Sequence, residues 1–370
     1  MNIKDTLISL KQSGNLRRIP ADATLSPALD LSGNDYLGIG ERDDLREAFM
    51  EEALRRRYAM TASASRLLAS RQNAFADYES ALSRAYGREA LIFNSGYHAN
   101  TGMIAALASD KRTLVVADRL VHASIIDGVR LSGAPMERFR HNDYAHLQRI
   151  LEKKARDYAS VLIIAESVYS MDGDRADIAR LADIKRHTPG ALLYVDEAHA
   201  VGALGPAGLG LVAESGAGAD VDIVMGTCGK ALAGSGAFAI MSAQMRAYMV
   251  NKARSLIFST ALPPICVAWN RFVFERMLGM DRERANLAEL SRLLYSILGL
   301  TSEPSHIAPL VVGSPERAVA LSESLERKGF HALPIRTPTV PPGTDRLRFS
   351  LSAALCADEL MPLRQALAEL

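Results

Sequence analysis

Cysteine is scarce in this sequence, with three residues in a chain of 370. Cys228, Cys266 and Cys356 are scattered and odd in number, and none belongs to a CxxC pair. The disulfide framework of a secreted protein needs an even set of cysteines at regular spacing. The cysteine content therefore suits a reducing compartment, and we expect a cytoplasmic protein.

A strong net charge and long apolar runs are missing as well. The 43 Lys and Arg residues offset 42 Asp and Glu residues, so the net charge is +1 and no global field favours nucleic acid or a membrane surface. No uninterrupted apolar run reaches membrane-spanning length, and the polar start Met1–Thr6 lacks the apolar core of a signal peptide. We therefore expect neither nucleic acid nor membrane among the partners.

Several well-known catalytic signatures are also absent. The sequence has no Walker loop, no GxGxxG dinucleotide loop, no HExxH zinc motif and no GxSxG nucleophile elbow. Asp196, Glu197 and His199 suggest part of a metal site, but no matching ligand cluster is nearby in the sequence. We therefore expect no metal, and the chemistry has to come from other residues.

The stretch Asp-Ile-Val-Met-Gly-Thr-Cys-Gly-Lys230 carries the strongest signal. Its first four residues predict a short buried strand, and the rest predict a turn of small residues that ends in a lysine. Glycine lets a backbone approach a ligand closely, and the Thr227 hydroxyl comes three residues before the amine. A lysine in such a turn can form a Schiff base with a carbonyl group. A surface lysine after a tight turn is the alternative that this stretch alone leaves open.

Short apolar strands alternate with helical patterns from residue 72 onward. The predicted strands are 91–93, 113–117, 161–165, 191–195, 222–225 and 237–241. Continuous apolar runs between helices predict a mostly parallel sheet covered on both faces, and ligands of such sheets bind at the carboxyl ends of the strands. Polar residues recur at these ends: Ser95, His122, Glu166, Asp196, His199, Thr227 and Lys230. Five successive strand ends of this kind predict one functional site.

The end of the chain has a different pattern. A long helical region is predicted from the proline pair Pro263-Pro264 to about Leu298, and a smaller α+β domain follows, with strands 307–312 and 346–351 and helices 316–329 and 357–369. A length of 370 residues is typical of two or three domains. We predict an N-terminal segment, a large domain and a small domain, with the limits 1–43, 44–275 and 276–370.

Arg348 is unusual because it lies inside an apolar strand of the predicted small domain. A charge in such a place needs a partner. The partner is either a ligand or a structural ion pair, for which Asp345 and Glu359 are the candidates. The sequence alone leaves both readings open.

The polar residues at the strand ends match the needs of pyridoxal phosphate. This cofactor needs an amine for its aldehyde, donors for its phosphate, an acid for its pyridine nitrogen and a partner for its phenolate oxygen. The sequence offers, in that order, Lys230, the Ser95–Tyr97 turn with Thr227, Asp196 and His199. An acid that keeps the pyridine nitrogen protonated makes the ring an electron sink. His122 is placed to stack on the ring face.

Motifs of a known family run nearly from end to end of the chain. They are Asn34-Asp-Tyr-Leu-Gly38, Ser95-Gly-Tyr97, His122-Ala-Ser124, Glu166-Ser-Val-Tyr-Ser-Met-Asp-Gly173, Asp196-Glu-Ala-His199, Thr227-Cys-Gly-Lys230, Ser259-Thr-Ala-Leu-Pro-Pro264, Thr339-Val-Pro-Pro-Gly-Thr344 and Arg346-Leu-Arg348. On these motifs the chain resembles the α-oxoamine synthase family of fold-type I pyridoxal-phosphate enzymes.

The resemblance implies an α/β fold of the fold-type I transferases, with a mostly parallel central sheet in a large domain and a smaller α+β C-terminal domain, in a homodimer. It implies pyridoxal 5'-phosphate as cofactor. It also implies an acyltransferase that condenses an amino acid with an acyl-CoA or acyl-carrier-protein thioester and releases carbon dioxide. The Thr339–Thr344 loop favours the biotin-pathway member, which uses L-alanine and a pimeloyl thioester, over glycine C-acetyltransferase or 5-aminolevulinate synthase.

The resemblance also implies a role for individual residues. The catalytic residues are Lys230, His122 and Asp196, and these three also contact the cofactor. The remaining cofactor-binding residues are Gly96, Tyr97, Ser170, His199 and Thr227. The substrate-binding residues are Arg17, Asn34, Thr339 and Arg348, and Arg18 takes the place of Arg17 if the arginines align one position over.

Two stretches depart from the family pattern. Ala62-Ser-Ala-Ser-Arg66 stands where the family usually has a glycine-rich Gly-x-Gly-Gly-Ser-Arg, and Ser352-Ala-Ala-Leu355 stands where histidine is common. Both departures bear on the substrate pocket, so the substrate follows less directly from the resemblance than the family does.

Overall fold

The computed structural model of the chain describes residues 2–12, 16, 29–70 and 72–369. They form two compact units. The larger unit comprises Leu37–Tyr169 and Arg175–Arg284, and the smaller one comprises Ser170–Asp174 with the described parts of Met1–Tyr36 and Ala285–Leu370. The domain limits 1–43, 44–275 and 276–370 stay a prediction. No helix of the described residues combines the length and the hydrophobicity needed to cross a bilayer.

A seven-stranded sheet forms the centre of the larger unit. In spatial order its strands are Glu89–Phe93, Ala237–Met241, Ile223–Thr227, Ala191–Asp196, Ser160–Glu166, Thr113–Asp118 and Met136–Phe139. The last five strands are parallel to one another, whereas Ala237–Met241 runs antiparallel to both of its neighbours. The prediction of a mostly parallel sheet is therefore right, with one antiparallel strand that the sequence pattern did not reveal.

Continuous apolar strands of this kind require cover on both faces of the sheet. The helices of the larger unit are Asp43–Arg56, Asn73–Tyr86, Gly96–Leu107, Ala123–Ser132, Tyr144–Lys154, Ile178–Arg186, Leu211–Glu214, Ala243–Lys252, Arg254–Ile257 and Pro264–Met277. One part of the core lies between the sheet and the helices Gly96–Leu107 and Ala123–Ser132. Val115, Ile164 and Tyr194 of the sheet and Met103 and Ile125 of these helices are fully buried there.

The predicted helix from Pro263 to Leu298 is wrong in one respect, because the chain forms two helices, Pro264–Met277 and Asp281–Leu298. The break at residues 278–280 contains Gly279, whose N–H donates to the Arg276 carbonyl at 3.0 Å. Glycine has one of the weakest helix propensities, so a stop at this position is easily formed.

The predicted C-terminal helix 357–369 is also divided, into Ala357–Leu360 and Pro362–Ala368. Pro362 has no N–H to donate within the first helix, and proline is well tolerated in the first turn of the next one. The strand Met136–Phe139 was not predicted. Its sequence Met-Glu-Arg-Phe carries two charges, which the edge position beside Thr113–Asp118 tolerates.

The smaller unit contains a three-stranded antiparallel sheet in the order Leu333–Ile335, Arg346–Ser350 and Ile307–Val311. A two-stranded parallel pair joins Leu29–Asp30 to Phe330–His331. The described helices of this unit are Ile3–Gln12, the part of Asp281–Leu298 from Ala285 onward, Pro315–Arg327, Ala357–Leu360 and Pro362–Ala368. The strand Arg346–Ser350 is central and fully buried, and the side chain of Arg348 is buried with it.

Candidate active site

The carboxyl ends of five strands meet around one cavity of about 200 Å³ in the larger unit. Its lining residues are Gly96, Tyr97, Asn100, His122, Ser124, Glu166, Asp196, Ala198, His199, Met225, Thr227 and Lys230. The structure thus brings together all predicted cofactor-binding residues of this unit. Asn100, Ser124, Ala198 and Met225 line the same cavity and were not predicted.

Lys230 faces His199 across this cavity, with 2.7 Å between Nζ and Nε2. The turn that carries the lysine is fixed by its own backbone: Cys228 N–H donates to Gly236 O at 2.9 Å, and Gly234 N–H donates to Cys228 O at 2.7 Å. The Thr227 hydroxyl donates to Gly236 O at 3.2 Å. The amine is therefore held at the end of a rigid loop, beside a ring nitrogen that can accept its proton.

Two residues of the lysine turn serve the core beneath it. A Cβ atom at Gly226 would lie 2.5 Å from Cζ of Phe238, so the packed ring requires glycine at this position. The sequence had suggested close approach of a ligand instead. Cys228 is fully buried, its sulfur lies 3.4 Å from the Tyr78 hydroxyl, and burial raises the pKa of its thiol to about 12.

Asp196 is buried at the end of its strand, and both of its oxygens accept hydrogen bonds. Oδ1 accepts from the Ala198 N–H at 2.9 Å, and Oδ2 accepts from Asn100 Nδ2 at 2.8 Å. Donors on both oxygens stabilise an ionised carboxylate and fix its orientation. A carboxylate held in this way at the cavity wall is suited to pair with a protonated ring nitrogen.

Glu166 lies opposite Asp196 in the register of two parallel strands, and it is also buried. Burial is the main reason that the pKa of Glu166 lies well above its ordinary value, and the negative charge of Asp196 is the second. Its Oε1 accepts a hydrogen bond from the backbone N–H of His122. Two neighbouring carboxyl groups in a desolvated site do not both ionise readily, so the cavity is suited to one negative charge and one retained proton.

The helix Gly96–Leu107 begins at the cavity. Ser95 is its N-cap residue, and its hydroxyl accepts from the His98 N–H at 3.1 Å. The first N–H groups of a helix have no intrahelical partner and form an anion site. Gly96 and Tyr97 lie at this end, and the strand Ile223–Thr227 brings the Thr227 hydroxyl to the same cavity, where it would exchange its Gly236 partner for a bound anion. These donors fit a phosphate group.

The donor set of the cavity therefore fits pyridoxal phosphate. One wall provides an amine at Lys230, another an oriented carboxylate at Asp196, and a helix N-terminus provides amides for an anion. Each group matches a different part of the cofactor, and all line a single cavity. The sequence predicted this assembly from separate strand ends.

The predicted substrate residues Asn34 and Arg348 lie together in the smaller unit, with Ser170. Arg348 Nη2 donates to Asn34 Oδ1 at 2.9 Å, and its Nε donates to the Ser170 carbonyl at 2.6 Å. Neither candidate for an ion pair contacts it: Asp345 accepts from the Thr337 N–H, and Glu359 accepts from the Cys356 N–H. In the described part of the chain, no carboxylate pairs with Arg348.

Thr339 occupies another part of the smaller unit. Its N–H donates to the Arg336 carbonyl at 2.9 Å, and it lines a cavity of about 590 Å³ with Leu7, Leu10 and Pro334 among its neighbours. Arg17 and Arg18, the alternatives for a second substrate arginine, lie outside the described residues. The roles of these residues stay predictions.

Known proteins resemble this chain in sequence over most of its length. The family model of aminotransferase class I and II matches residues 26–367. The chain belongs to this family. It is 48% identical over 348 residues to a putative 8-amino-7-oxononanoate synthase of Pasteurella multocida, covering 92% of this chain and 90% of that one. It is 47% identical over 351 residues to the 8-amino-7-oxononanoate synthase of Chlorobaculum parvum, covering 92% and 89%.

Solved structures of other members of this aminotransferase family have the same fold as the chain. A serine palmitoyltransferase of Sphingomonas wittichii matches with a TM-score of 0.89 at 30% identity over 99% of this chain and 95% of that one. An 8-amino-7-oxononanoate synthase of Francisella tularensis matches with a TM-score of 0.76 at 27% identity over 92% and 96%. These relatives confirm the predicted family resemblance and the fold-type I fold.

Glu197 is a fully buried carboxyl next to the cavity residues in sequence, and it supports a prediction about pH. Burial raises the pKa of Glu197 from 4.5 to about 7, although its Oε1 accepts from the Val212 N–H at 3.0 Å. The folded state therefore binds this proton more tightly than the unfolded state, and its contribution to stability is lost as the pH rises through 7. Between about pH 5 and about pH 8, we expect the wild type to lose about 2 kcal/mol that Glu197→Gln does not lose.

The measurement is urea unfolding of both proteins at the two pH values. Glu152→Gln, at an exposed position, is the matched control and should follow the wild type. Parallel pH dependence in Glu197→Gln and the wild type would show that Glu197 titrates normally.

Proposed function

We propose that this chain is an 8-amino-7-oxononanoate synthase, which condenses L-alanine with a pimeloyl thioester and releases carbon dioxide. The observation that carries the proposal is the single cavity that holds Lys230, Asp196, His122 and His199, in a chain 47–48% identical to relatives of that name. The relatives also bear out the predicted enzyme class, since they are synthases and transferases. The cofactor prediction is confirmed too, since a solved serine palmitoyltransferase of S. paucimobilis, which has the same fold, contains bound pyridoxal phosphate.

When bound, pyridoxal 5'-phosphate supplies an aldehyde that takes up the amino group of alanine and a ring that accepts the electron pair left at Cα. Lys230 would hold the cofactor through its amine and would accept the Cα proton of the substrate. Asp196 stabilises the proton on the pyridine nitrogen. The amides of Gly96 and Tyr97, with Thr227, bind the phosphate.

The other cofactor residues orient the ring and the substrate. His199 donates to the phenolate oxygen, and Ser170 is a further contact of the cofactor. His122 stacks on the ring and polarises the thioester carbonyl. The carbonyl polarised by His122 would receive the new carbon–carbon bond, the thiol would leave, and the β-keto acid would lose carbon dioxide.

Arg348 binds the carboxylate of alanine in this proposal, with Asn34 beside it. A buried guanidinium whose neighbours are neutral oxygens retains its full positive charge for an anion. The planar guanidinium can bind a carboxylate through two parallel hydrogen bonds. Thr339 and Arg17, or Arg18 in its place, bind the acyl donor.

The partners are therefore L-alanine and pimeloyl-CoA or a pimeloyl carrier protein, and the enzyme acts as a cytoplasmic homodimer. The low cysteine content supports this location. The high structural similarity to serine palmitoyltransferase favours one competing function, in which serine and a long acyl-CoA are the substrates. The predicted alternative from the same family is glycine C-acetyltransferase.

Thiol release separates these functions. The purified protein, loaded with pyridoxal phosphate, is assayed with alanine, glycine and serine, each against acetyl-CoA, pimeloyl-CoA and palmitoyl-CoA. We expect turnover to be highest with alanine and pimeloyl-CoA. Highest turnover with glycine and acetyl-CoA, or with serine and palmitoyl-CoA, would assign the protein to the respective other function.

Arg348→Lys should raise the KM for L-alanine about tenfold or more, because lysine cannot form the paired hydrogen bonds of a guanidinium and a charge-assisted bond is lost. The bound cofactor and its absorbance should remain as in the wild type. Steady-state kinetics at saturating acyl donor measure the effect.

Arg346→Lys is the matched control for this substitution. Arg346 lies two residues earlier on the same buried strand and pairs with Asp172. Its replacement should lower the melting temperature and leave the KM for alanine unchanged. If Arg348→Lys behaves in the same way, Arg348 has a structural role only.

A further inference from the structure

Asn100 lies between two functional side chains of the cavity: it contacts Asp196 directly and reaches His122 through Ser124. It is almost fully buried, and its Oδ1 accepts from the Tyr194 hydroxyl at 2.6 Å. Its Nδ2 donates to Asp196 Oδ2 at 2.8 Å and to Ser124 Oγ at 2.9 Å. A carboxylate only accepts hydrogen bonds, so the amide nitrogen of Asn100 has to face Asp196. Both amide protons are thereby used, one for each partner.

Ser124 connects Asn100 to His122 through hydrogen bonds of its hydroxyl group. Because its oxygen accepts from Asn100, the serine hydroxyl is free to donate its own proton to His122 Nδ1, which lies 2.7 Å away. The backbone N–H of Ser124 also points to Nδ1, at 3.2 Å. A backbone N–H can only donate. Two donors therefore converge on one ring nitrogen, which has to be unprotonated.

The position of His122 in the chain supports the same assignment. His122 is the N-cap residue of the helix Ala123–Ser132, and its ring accepts the N–H of the second helical residue, as the oxygen of a serine or aspartate cap does. The positive end of the helix disfavours a charged imidazolium there. Desolvation by the surrounding protein also lowers the pKa of His122. The ring is therefore neutral, and its one proton is on Nε2.

We propose that Asn100 and Ser124 are positioning residues that hold His122 as the neutral tautomer with the proton on Nε2. Nε2 is then the only donor of a ring that lines the cavity. The same amide that orients Asp196 sets this tautomer, so the acid of the cofactor site and the imidazole are fixed by one side chain.

The chemical consequence rests on the proposed function. A neutral imidazole with a proton on Nε2 can donate a hydrogen bond to the thioester carbonyl oxygen, where negative charge develops when the carbanion attacks. The opposite tautomer would present a lone pair and repel that oxygen. Ser124 and Asn100 thus act through His122 and not on the substrate.

The tautomer can be measured on the apoprotein by proton–nitrogen correlation NMR of isotope-labelled histidine, because protonated and unprotonated ring nitrogens have separate shifts. The chain has eight histidines, so the difference spectrum with His122→Gln assigns the signal. We expect an unprotonated Nδ1 and a protonated Nε2 in the wild type. A protonated Nδ1 would overturn the proposal.

Two variants test the two positioning residues. Ser124→Ala removes one neutral hydrogen bond, so the ratio of this tautomer to the other forms of the ring should fall about fivefold. In Asn100→Asp, a carboxyl oxygen replaces the amide donor and takes the serine proton, so the signal of Nδ1 should move toward the protonated shift. Ser132→Ala, on the same helix, is the control and should leave both ring signals of His122 unchanged.

Unchanged ring signals in folded Ser124→Ala and Asn100→Asp would refute the role of both residues. If Ser124→Ala does not fold, the ring nitrogen signals of His122 in the wild type and in Asn100→Asp are sufficient to test the proposal. In turnover, Ser124→Ala should lower kcat per mole of folded, cofactor-loaded protein and leave the KM for alanine unchanged. Since the NMR measurement uses neither cofactor nor substrate, its result stands even if the thiol-release assay refutes the proposed function.

Discussion

Lys230→Ala should yield a folded protein that neither holds pyridoxal phosphate covalently nor turns over alanine. The methyl side chain that replaces Lys230 has no amine to bond to the aldehyde of the cofactor and cannot accept the Cα proton of the substrate. Turnover should therefore fall by at least about a thousandfold. The fold should survive, because backbone hydrogen bonds of Cys228 and Gly234 hold the lysine turn.

The measurement is borohydride reduction of the loaded protein, followed by peptide mass spectrometry and by thiol release. In the wild type the reduced cofactor should be on the peptide that contains Lys230, and no peptide of Lys230→Ala should carry it. Lys252→Ala, which changes an exposed lysine at the end of a helix of the same unit, should match the wild type. A reduced adduct on any other lysine would refute the assignment.

Asp196→Asn should bind the cofactor and lose most of its activity. An amide has no negative charge to favour the protonated pyridine nitrogen, and the loss of one charge-assisted hydrogen bond alone corresponds to a rate decrease of about 10- to 150-fold. The structure adds a second reason. Both oxygens of Asp196 accept hydrogen bonds, from Ala198 and Asn100, and an amide at this position has only one oxygen to offer.

Thiol release at saturating alanine and acyl donor measures the effect. Asp222→Asn is a suitable control, because Asp222 lies just before the strand Ile223–Thr227, contacts Lys185 and does not line the cavity. It should change stability without changing kcat. Turnover by Asp196→Asn close to that of the wild type would mean that another acid contacts the pyridine nitrogen.

The sequence predicted most of the cavity because its key residues directly follow apolar strands. His122, Glu166, Asp196 and Lys230 each come after such a run, and parallel strands bring their carboxyl ends to the same edge of a sheet. The fold class followed from the same alternation of strands and helices.

Residues inside helices were missed for a physical reason. Asn100 and Ser124 belong to Gly96–Leu107 and Ala123–Ser132, where a single polar residue is common and gives no periodic signal. No signal singled out Asn100, because Tyr97, His98 and Thr101 are polar residues of the same helix.

Arg348 shows where sequence spacing stops being informative. Its strand suggested a need for a partner, and the candidates were the nearest acids in sequence, Asp345 and Glu359. The actual partners, Ser170 and Asn34, lie 178 and 314 residues away along the chain. Contacts over such separations depend on the complete fold, so no local pattern could have indicated them.

The burial of Cys228 has a practical consequence for labelling. With a pKa of about 12, this thiol has almost no thiolate at neutral pH, although it is only two residues from the reactive amine. Cys356 is exposed. A maleimide fluorophore should therefore attach first at Cys356, more slowly at the half-buried Cys266, whose pKa burial raises, and spare the lysine turn. Ligand binding can then be followed by fluorescence in a protein whose active site is chemically unmodified.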